Sequence, residues 1–237
     1  MKLTAPIYGL RRQAKHMSRR DGIPLHRALN HVAVQQGYQS WAHLMAAQRE
    51  GGPAARLFST FAPGDVVLLG ARPGQGKTLL GLELALMAQT RGQAGWFFTL
   101  DYSERDLEQC FEAIGTSPSS RRQDVRVDTS DDVSADYIVS TLGRTGDPAI
   151  LVVDYLQILD QRRRNPNLDD QIDVLGRYAK ETGTVCVLIS QIDRSFDLAG
   201  KDMPDATDIR MPNAFSLSGF DKLCFLNEGR IRVDAAA

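Results

Sequence analysis

Apolar residues recur along this chain with two different periods. In the first fifty positions the period is helical: Leu3, Ile7, Leu10, Ala14 and Met17 fall at alternating four- and three-residue steps, which puts them on one stripe of a helix. Asp21-Gly22 interrupts the pattern and Pro24 suits a first helical turn. Leu25, Ala28, Leu29 and Val32 then form a second stripe. Gly37 reads as a C-terminal stop, and Ser40 as the N-cap of a third helix carrying Trp41, Leu44 and Met45. A piece this small is near the lower limit for folding alone, so it is expected to dock on the rest of the chain or on a partner.

After Gly51-Gly52-Pro53, which reads as a linker, the pattern changes. Short, continuously apolar runs at 65–70, 95–100, 125–128, 149–154, 184–190 and 221–227 read as strands buried on both faces. Helical patterns at 77–90, 103–114, 133–143 and 168–182 alternate with them. Such alternation predicts an α/β fold, a central mainly parallel sheet flanked by helices. Arg230-Ile-Arg-Val233, just after Glu228-Gly229, is placed to return as an antiparallel hairpin strand. The expected organisation is a small all-α module over 1–50, a linker over 51–56 and an α/β domain over 57–237.

Charge sharpens that division. The overall balance of −1 conceals eight Lys/Arg against two Asp/Glu in residues 1–50, and 20 against 27 in the remainder. No apolar run approaches the ~20 residues of a membrane span, and the basic N-terminus leads into a polar amphipathic pattern without the apolar core of a signal peptide. The three cysteines, Cys110, Cys186 and Cys224, are isolated, in apolar surroundings, and without metal-ligand spacing. These features lead us to expect a cytoplasmic protein with reduced thiols and no membrane partner.

The chemistry is concentrated at Ala71-Arg72-Pro73-Gly74-Gln75-Gly76-Lys77-Thr78. This octapeptide follows the apolar run Asp65-Val-Val-Leu-Leu-Gly70 and precedes Leu79-Leu-Gly-Leu-Glu-Leu-Ala-Leu-Met87. A strand, a glycine-rich turn and Gly-Lys-Thr opening a helix is the context of a phosphate-binding P-loop. Turn and helix N–H groups converge there on an anion that the helix dipole also favours. Gly74 and Gly76 let the backbone wrap closely, Lys77 reaches β/γ-phosphates, and the Thr78 hydroxyl is a Mg²⁺ ligand. The first position departs from the usual pattern, with Ala71 in place of glycine. Arg72 is expected to pack or pair locally. A P-loop needs a second acid for Mg²⁺ at the tip of a neighbouring buried strand, and Ile150-Leu-Val-Val-Asp154 supplies one.

Asp154-Tyr-Leu-Gln-Ile158, the Ala71-initiated loop, and Leu188-Ile-Ser-Gln191 followed by Arg194 closely resemble the RecA-type motor domain of DnaB-type replicative helicases. The resemblance runs from about residue 57 to 228 in the same motif order. Phe98-Thr-Leu-Asp-Tyr-Ser103 is similar to the segment that carries those helicases' catalytic glutamate. Met203-Pro-Asp-Ala-Thr-Asp-Ile-Arg210 and Phe220-Asp-Lys-Leu-Cys-Phe225 are similar to their last core motifs. The resemblance implies a RecA-like fold, Mg²⁺·ATP as ligand, and self-association in a ring or filament with sites between subunits. It also implies that Gln191 senses the γ-phosphate, the alternative being a polar residue that merely ends a strand.

Three departures qualify it. Asp101 stands where the family has its water-activating glutamate; being one methylene shorter, it points to slow hydrolysis and an ATP-gated switch, with Glu104 as the alternative base. The sequence ends soon after Arg230 and Arg232, where such helicases continue into a longer hairpin carrying a trans-acting finger; Arg194, Arg210, Arg230 and Arg232 all stay candidates for that role. The N-terminal segment resembles no helicase domain, although Ala28-Leu29…Gly37-Tyr-Gln-Ser-Trp41…Leu44 is similar to a short helical segment of some glyoxalase-superfamily proteins. Arg11, Lys15 and Arg19, with Arg12 and Arg20 beside them, line one side of the first helix. That side is either a solvated face or a contact for nucleic-acid phosphates or an acidic protein surface. Arg162-Arg-Arg164 is open to the same two readings.

Overall fold

The structure is a computed structural model that describes residues 3–5, 7–114, 125–143, 147–160, 165–210 and 215–236. Seven strands form one sheet among the described residues: β1 (Val66–Ala71), β2 (Ala94–Thr99), β3 (Val125–Asp128), β4 (Ala149–Asp154), β5 (Val185–Gln191), β6 (Lys222–Asn227) and β7 (Arg230–Ala235). Their spatial order is β3-β2-β4-β5-β1-β6-β7. All neighbours run parallel except β6 and β7, the expected hairpin. The hairpin turns through Glu228 at φ 50° and Gly229 at φ 73°, the left-handed pair that a two-residue loop requires.

The apolar runs are continuous because both faces of the sheet are covered. Val67, Leu69, Ile150, Val152, Val187 and Ile189 point into one core, beneath helices α4 (Pro53–Phe58), α5 (Lys77–Met87) and α6 (Glu104–Ala113). Leu68, Leu151, Val153, Cys186 and Leu188, one residue out of phase, point into a second core under α7 (Ala135–Leu142) and α8 (Leu168–Thr182). Burial pushes the Cys186 thiol up to about 12, and Cys224 likewise to about 12. Both are therefore inert thiols that pack as small apolar groups.

Helix α5 lies unusually close to the sheet, at two glycines. A Cβ at Gly95 of β2 would stand 2.1 Å from the backbone oxygen of Ala85, and one at Gly81 of α5 would stand 2.8 Å from Cδ1 of Ile189. The first is a backbone collision that no rotamer relieves. Gly95→Ala is therefore expected to destabilise the protein by about 3 kcal/mol, since overpacking a tight core costs roughly that much. Urea unfolding would show it as a lower midpoint at an unchanged slope.

The N-terminal residues form α1 (Ile7–Asp21), α2 (Leu25–Gln35) and α3 (Trp41–Gly51). Each sequence stripe points inward: Leu10, Ala14, Ala28, Val32, Leu44 and Met45 are buried in one small cluster, distinct from the two cores of the sheet. Gly37 sits at φ 85° just past α2, and the Ser40 hydroxyl accepts from the N–H of His43 at 3.1 Å to cap α3. The stretch expected to be a linker is ordered instead. Gly51 ends α3, Gly52 alone separates the helices, and Pro53 opens α4, whose Ala54, Leu57 and Phe58 are buried in the first core of the sheet. The physical reason is the double meaning of Gly-Pro, which suits a loop and equally an N-cap followed by a first helical turn. No helix among the described residues is long and apolar enough to cross a membrane.

Candidate functional site

Strand β1 is flanked by β5 and β6, so the loop that leaves its C-terminal end emerges in the interior of the sheet crest. Ligands of open α/β sheets bind at that end of the strands. Gly74 at φ 81° and Gly76 at φ 84° take the left-handed backbone that the turn into α5 demands. Ala71 has no such conformation: it is the last residue of β1, fully buried and paired in register with Gln191 and Leu226. Alanine in place of the usual glycine is accommodated because the turn begins only after it.

The loop is braced from both sides. Arg72 lays its guanidinium across Asp197 (Nε–Oδ1 3.0 Å, Nη2–Oδ2 2.7 Å) and donates to the carbonyl of Ile192 at 3.1 Å, the local pairing expected of it. Gln75 accepts the N–H of Glu228, in the β6–β7 turn, at 2.9 Å. Pro73 and Gly74 are exposed at the tip of the loop. Two contacts that hold the loop, Asp197 and the Glu228 amide, carry no signal in the sequence, because both come from segments more than a hundred residues away.

Thr78 and Asp154 meet although 76 residues separate them. The Thr78 hydroxyl donates to Asp154 Oδ2 at 2.6 Å, and both side chains are buried. The Tyr102 hydroxyl lies 3.2 Å from the same Thr78 oxygen, a neighbour that the sequence reading missed. Burial pushes the Asp154 carboxyl above the usual carboxylate range and Asp101 adds to the effect; the Thr78 hydrogen bond and the charge of Lys77 oppose it. Lys77 is half-exposed and has no hydrogen bond or ion pair with the described residues.

Asp101 follows the end of β2, and its N–H donates to Thr99 Oγ1 at 3.3 Å. Its carboxyl is exposed, yet the surrounding protein raises its pKa against the opposing charge of Lys77. The Glu104 side chain lies outside the described part of the structure, as do Arg162, Arg163 and Arg164. Gln191 ends β5 beside Ala71, and its side-chain oxygen accepts from Arg210 Nη1 at 3.2 Å.

The arginines considered as fingers differ in their company. Arg194 is exposed and has no hydrogen bond or ion pair with the described residues. Arg230 donates to the carbonyl of Asp202 at 3.0 Å, and Arg232 pairs with Asp234 at 2.9 Å and lies over the Phe225 ring. On α1, Arg12, Lys15 and Arg19 are exposed, whereas Arg11 is partly buried. A cleft of about 750 Å³ lies elsewhere, between α8 and residues 218–221, and it touches β1 at Val66, the strand end remote from the loop.

A mainly parallel, doubly covered sheet with a P-loop after the interior strand β1 and an acid at the tip of β4 is a RecA-like α/β fold. No family model matches the chain. It is 23% identical over 191 residues to the replicative DNA helicase DnaB of Mycoplasma genitalium, a match covering 65% of this chain and 41% of that protein. Against the replicative DNA helicase DnaB of Rhodothermus marinus it is 27% identical over 201 residues, 70% of this chain and 21% of that one. The chain thus spans less than half the length of these curated relatives. A solved DnaB-like replicative helicase superposes with a TM-score of 0.54 at 17% identity, covering 91% of this chain and 64% of the other. Sequence and fold agree: the chain is similar to DnaB-type helicases and carries a DnaB-like RecA-fold domain.

Proposed function

We propose that this protein is a Mg²⁺-dependent ATP-binding ATPase that hydrolyses slowly and acts as an ATP-gated switch in a nucleic-acid or assembly context. The observation that carries the reading is the 2.6 Å contact between Thr78 and buried Asp154 beside a P-loop whose Lys77 ammonium is half-exposed and makes no hydrogen bond or ion pair with the described residues. That donor set fits a triphosphate with a divalent cation: a half-exposed ammonium for the phosphates, and a hydroxyl and a carboxylate for the metal. When bound, Mg²⁺ neutralises charge on the β/γ-phosphate oxygens. Lys77 and the N–H groups of the loop hold the triphosphate, and Thr78 with Asp154 holds the metal directly or through water. Asp101, its pKa raised by the surrounding protein, accepts a proton from the attacking water. Gln191 reads the γ-phosphate, and Arg210, bonded to it, carries the change outward.

Residues 1–50 act as a separate module, a reading supported by their own apolar cluster, with self-association of the remainder in a ring or filament. The exposed Arg12, Lys15 and Arg19, with Arg11 beside them, suit nucleic-acid phosphates or an acidic protein surface. If phosphates are the target, an Arg12/Lys15/Arg19 triple alanine variant binds single-stranded DNA more weakly and lowers the slope of log affinity against log salt by about 2, near 0.7 per lost contact. A slope equal to that of wild type excludes the contact.

The similarity to replicative helicases favours a second reading, a genuine helicase or translocase; a third is a regulatory module that controls a partner through residues 1–50. ATP turnover with and without single-stranded DNA or RNA, with oligomer size measured in the same samples, separates the three. Strand-stimulated turnover with unwinding supports the motor, whereas nucleotide-dependent oligomerisation without strand stimulation supports the regulator. Turnover of tens per second without any activator sinks the slow switch.

A further inference from the structure

The hydroxyl of Thr78 sits between two oxygens, Asp154 Oδ2 at 2.6 Å and the Tyr102 phenol at 3.2 Å. A threonine hydroxyl has one proton and two lone pairs. With Asp154 ionised, the carboxylate is the stronger acceptor and takes that proton. The phenol, itself able to donate, then gives its O–H to one Thr78 lone pair. Three of the four directions around the Thr78 oxygen are thereby fixed: its bond to Cβ, its proton to Asp154, and the Tyr102 hydrogen. One lone pair is left, in a direction that the hydroxyl cannot change by rotating.

We infer that Tyr102 is a positioning residue for the divalent cation, holding the Thr78 oxygen so that its remaining lone pair faces the metal. This rests on the reading of residues 71–78 as a nucleotide site. The phenol is well placed for such a role because its ring is partly buried against the first core of the sheet, which anchors the hydroxyl. Tyr102 also adjoins Asp101 in the chain, so the same anchor restrains the backbone of the proposed base. Mg²⁺ demands near-ideal octahedral geometry and dehydrates reluctantly, so a hydroxyl free to swivel serves it poorly. Groups that orient a metal's direct ligands commonly change metal affinity by 10–100-fold when removed.

The test uses the full chain, a fluorescent ATP analogue and titration with MgCl₂, comparing wild type with Tyr102→Phe. Phenylalanine keeps the ring and its packing, so the thermal midpoint stays near that of wild type. The expected result is that the variant needs roughly tenfold more Mg²⁺ for half-maximal binding, while nucleotide affinity in EDTA is unchanged. Equal Mg²⁺ titrations for the two proteins, with wild type binding the analogue normally, overturn the assignment of Tyr102 alone. An equal loss of affinity with and without metal also overturns it, since that marks a packing effect. A wild type that binds no nucleotide under any condition overturns the nucleotide reading and this assignment with it.

Discussion

Lys77→Ala is expected to lower ATP turnover by 10²–10³-fold, on the order of what removal of one preorganised charge-stabilising donor costs. The ammonium is half-exposed and makes no hydrogen bond or ion pair with the described residues, its charge acting on Asp101 and Asp154 from a distance, and the opening of α5 sets its position. Solvent screens the charge of a half-exposed side chain, so its removal is expected to shift the thermal midpoint only slightly. The variant separates chemistry from folding for that reason. Phosphate release and a melting curve on the same preparation are the measurements; a variant keeping more than a tenth of wild-type turnover is incompatible with this loop as the site.

Asp154→Asn is expected to act in opposite directions on function and stability. Burial raises the folded-state pKa of Asp154 above its ordinary value of 3.8, so the native protein binds this proton more readily than the unfolded chain does. Stability from this group therefore falls as pH climbs from the ordinary carboxylate range through the raised folded value. The penalty is complete only above that raised value. Asparagine keeps an oxygen for the Thr78 hydroxyl and has no charge to desolvate. The variant should melt higher than wild type above the ordinary carboxylate range, with the difference closing as pH falls below about 4. It should also lose Mg²⁺-dependent nucleotide binding. A lower midpoint at neutral pH would contradict the burial argument.

Much of this arrangement was legible beforehand, for reasons of period and spacing. The N-terminal stripes through Leu10, Ala28 and Leu44 point inward because helical periodicity is a local property. The strands β1, β4 and β5 announced themselves as unbroken apolar runs because both of their faces are covered. Strand order was not legible: nothing in Val66–Ala71 says that its neighbours begin at Val185 and Lys222. The Thr78–Asp154 pair was foreseen because each residue ends or begins a recognisable element. Tyr102 was not, because a residue in the turn between β2 and α6 has a side-chain direction set only by tertiary packing. Gly52-Pro53 was read as loop although the apolar residues Ala54, Leu57 and Phe58 that follow are what dock α4.

The interior place of β1 in the sheet, between β5 and β6, has a consequence for synthesis. Leu68 pairs with Leu188 on one side and Leu223 on the other, so both partners lie more than a hundred residues downstream. At about 5–20 residues per second on the ribosome, roughly 6–24 s pass before the first of them exists. Throughout that interval Val66-Val-Leu-Leu69 has no strand to pair with, and the glycine turn after it has no crest to stand on. The N-terminal helices, whose contacts are short in sequence, can close within the same interval. The loop at 71–78 is therefore made well before its surroundings: the sheet crest around it is complete only once β5 and β6 have been synthesised.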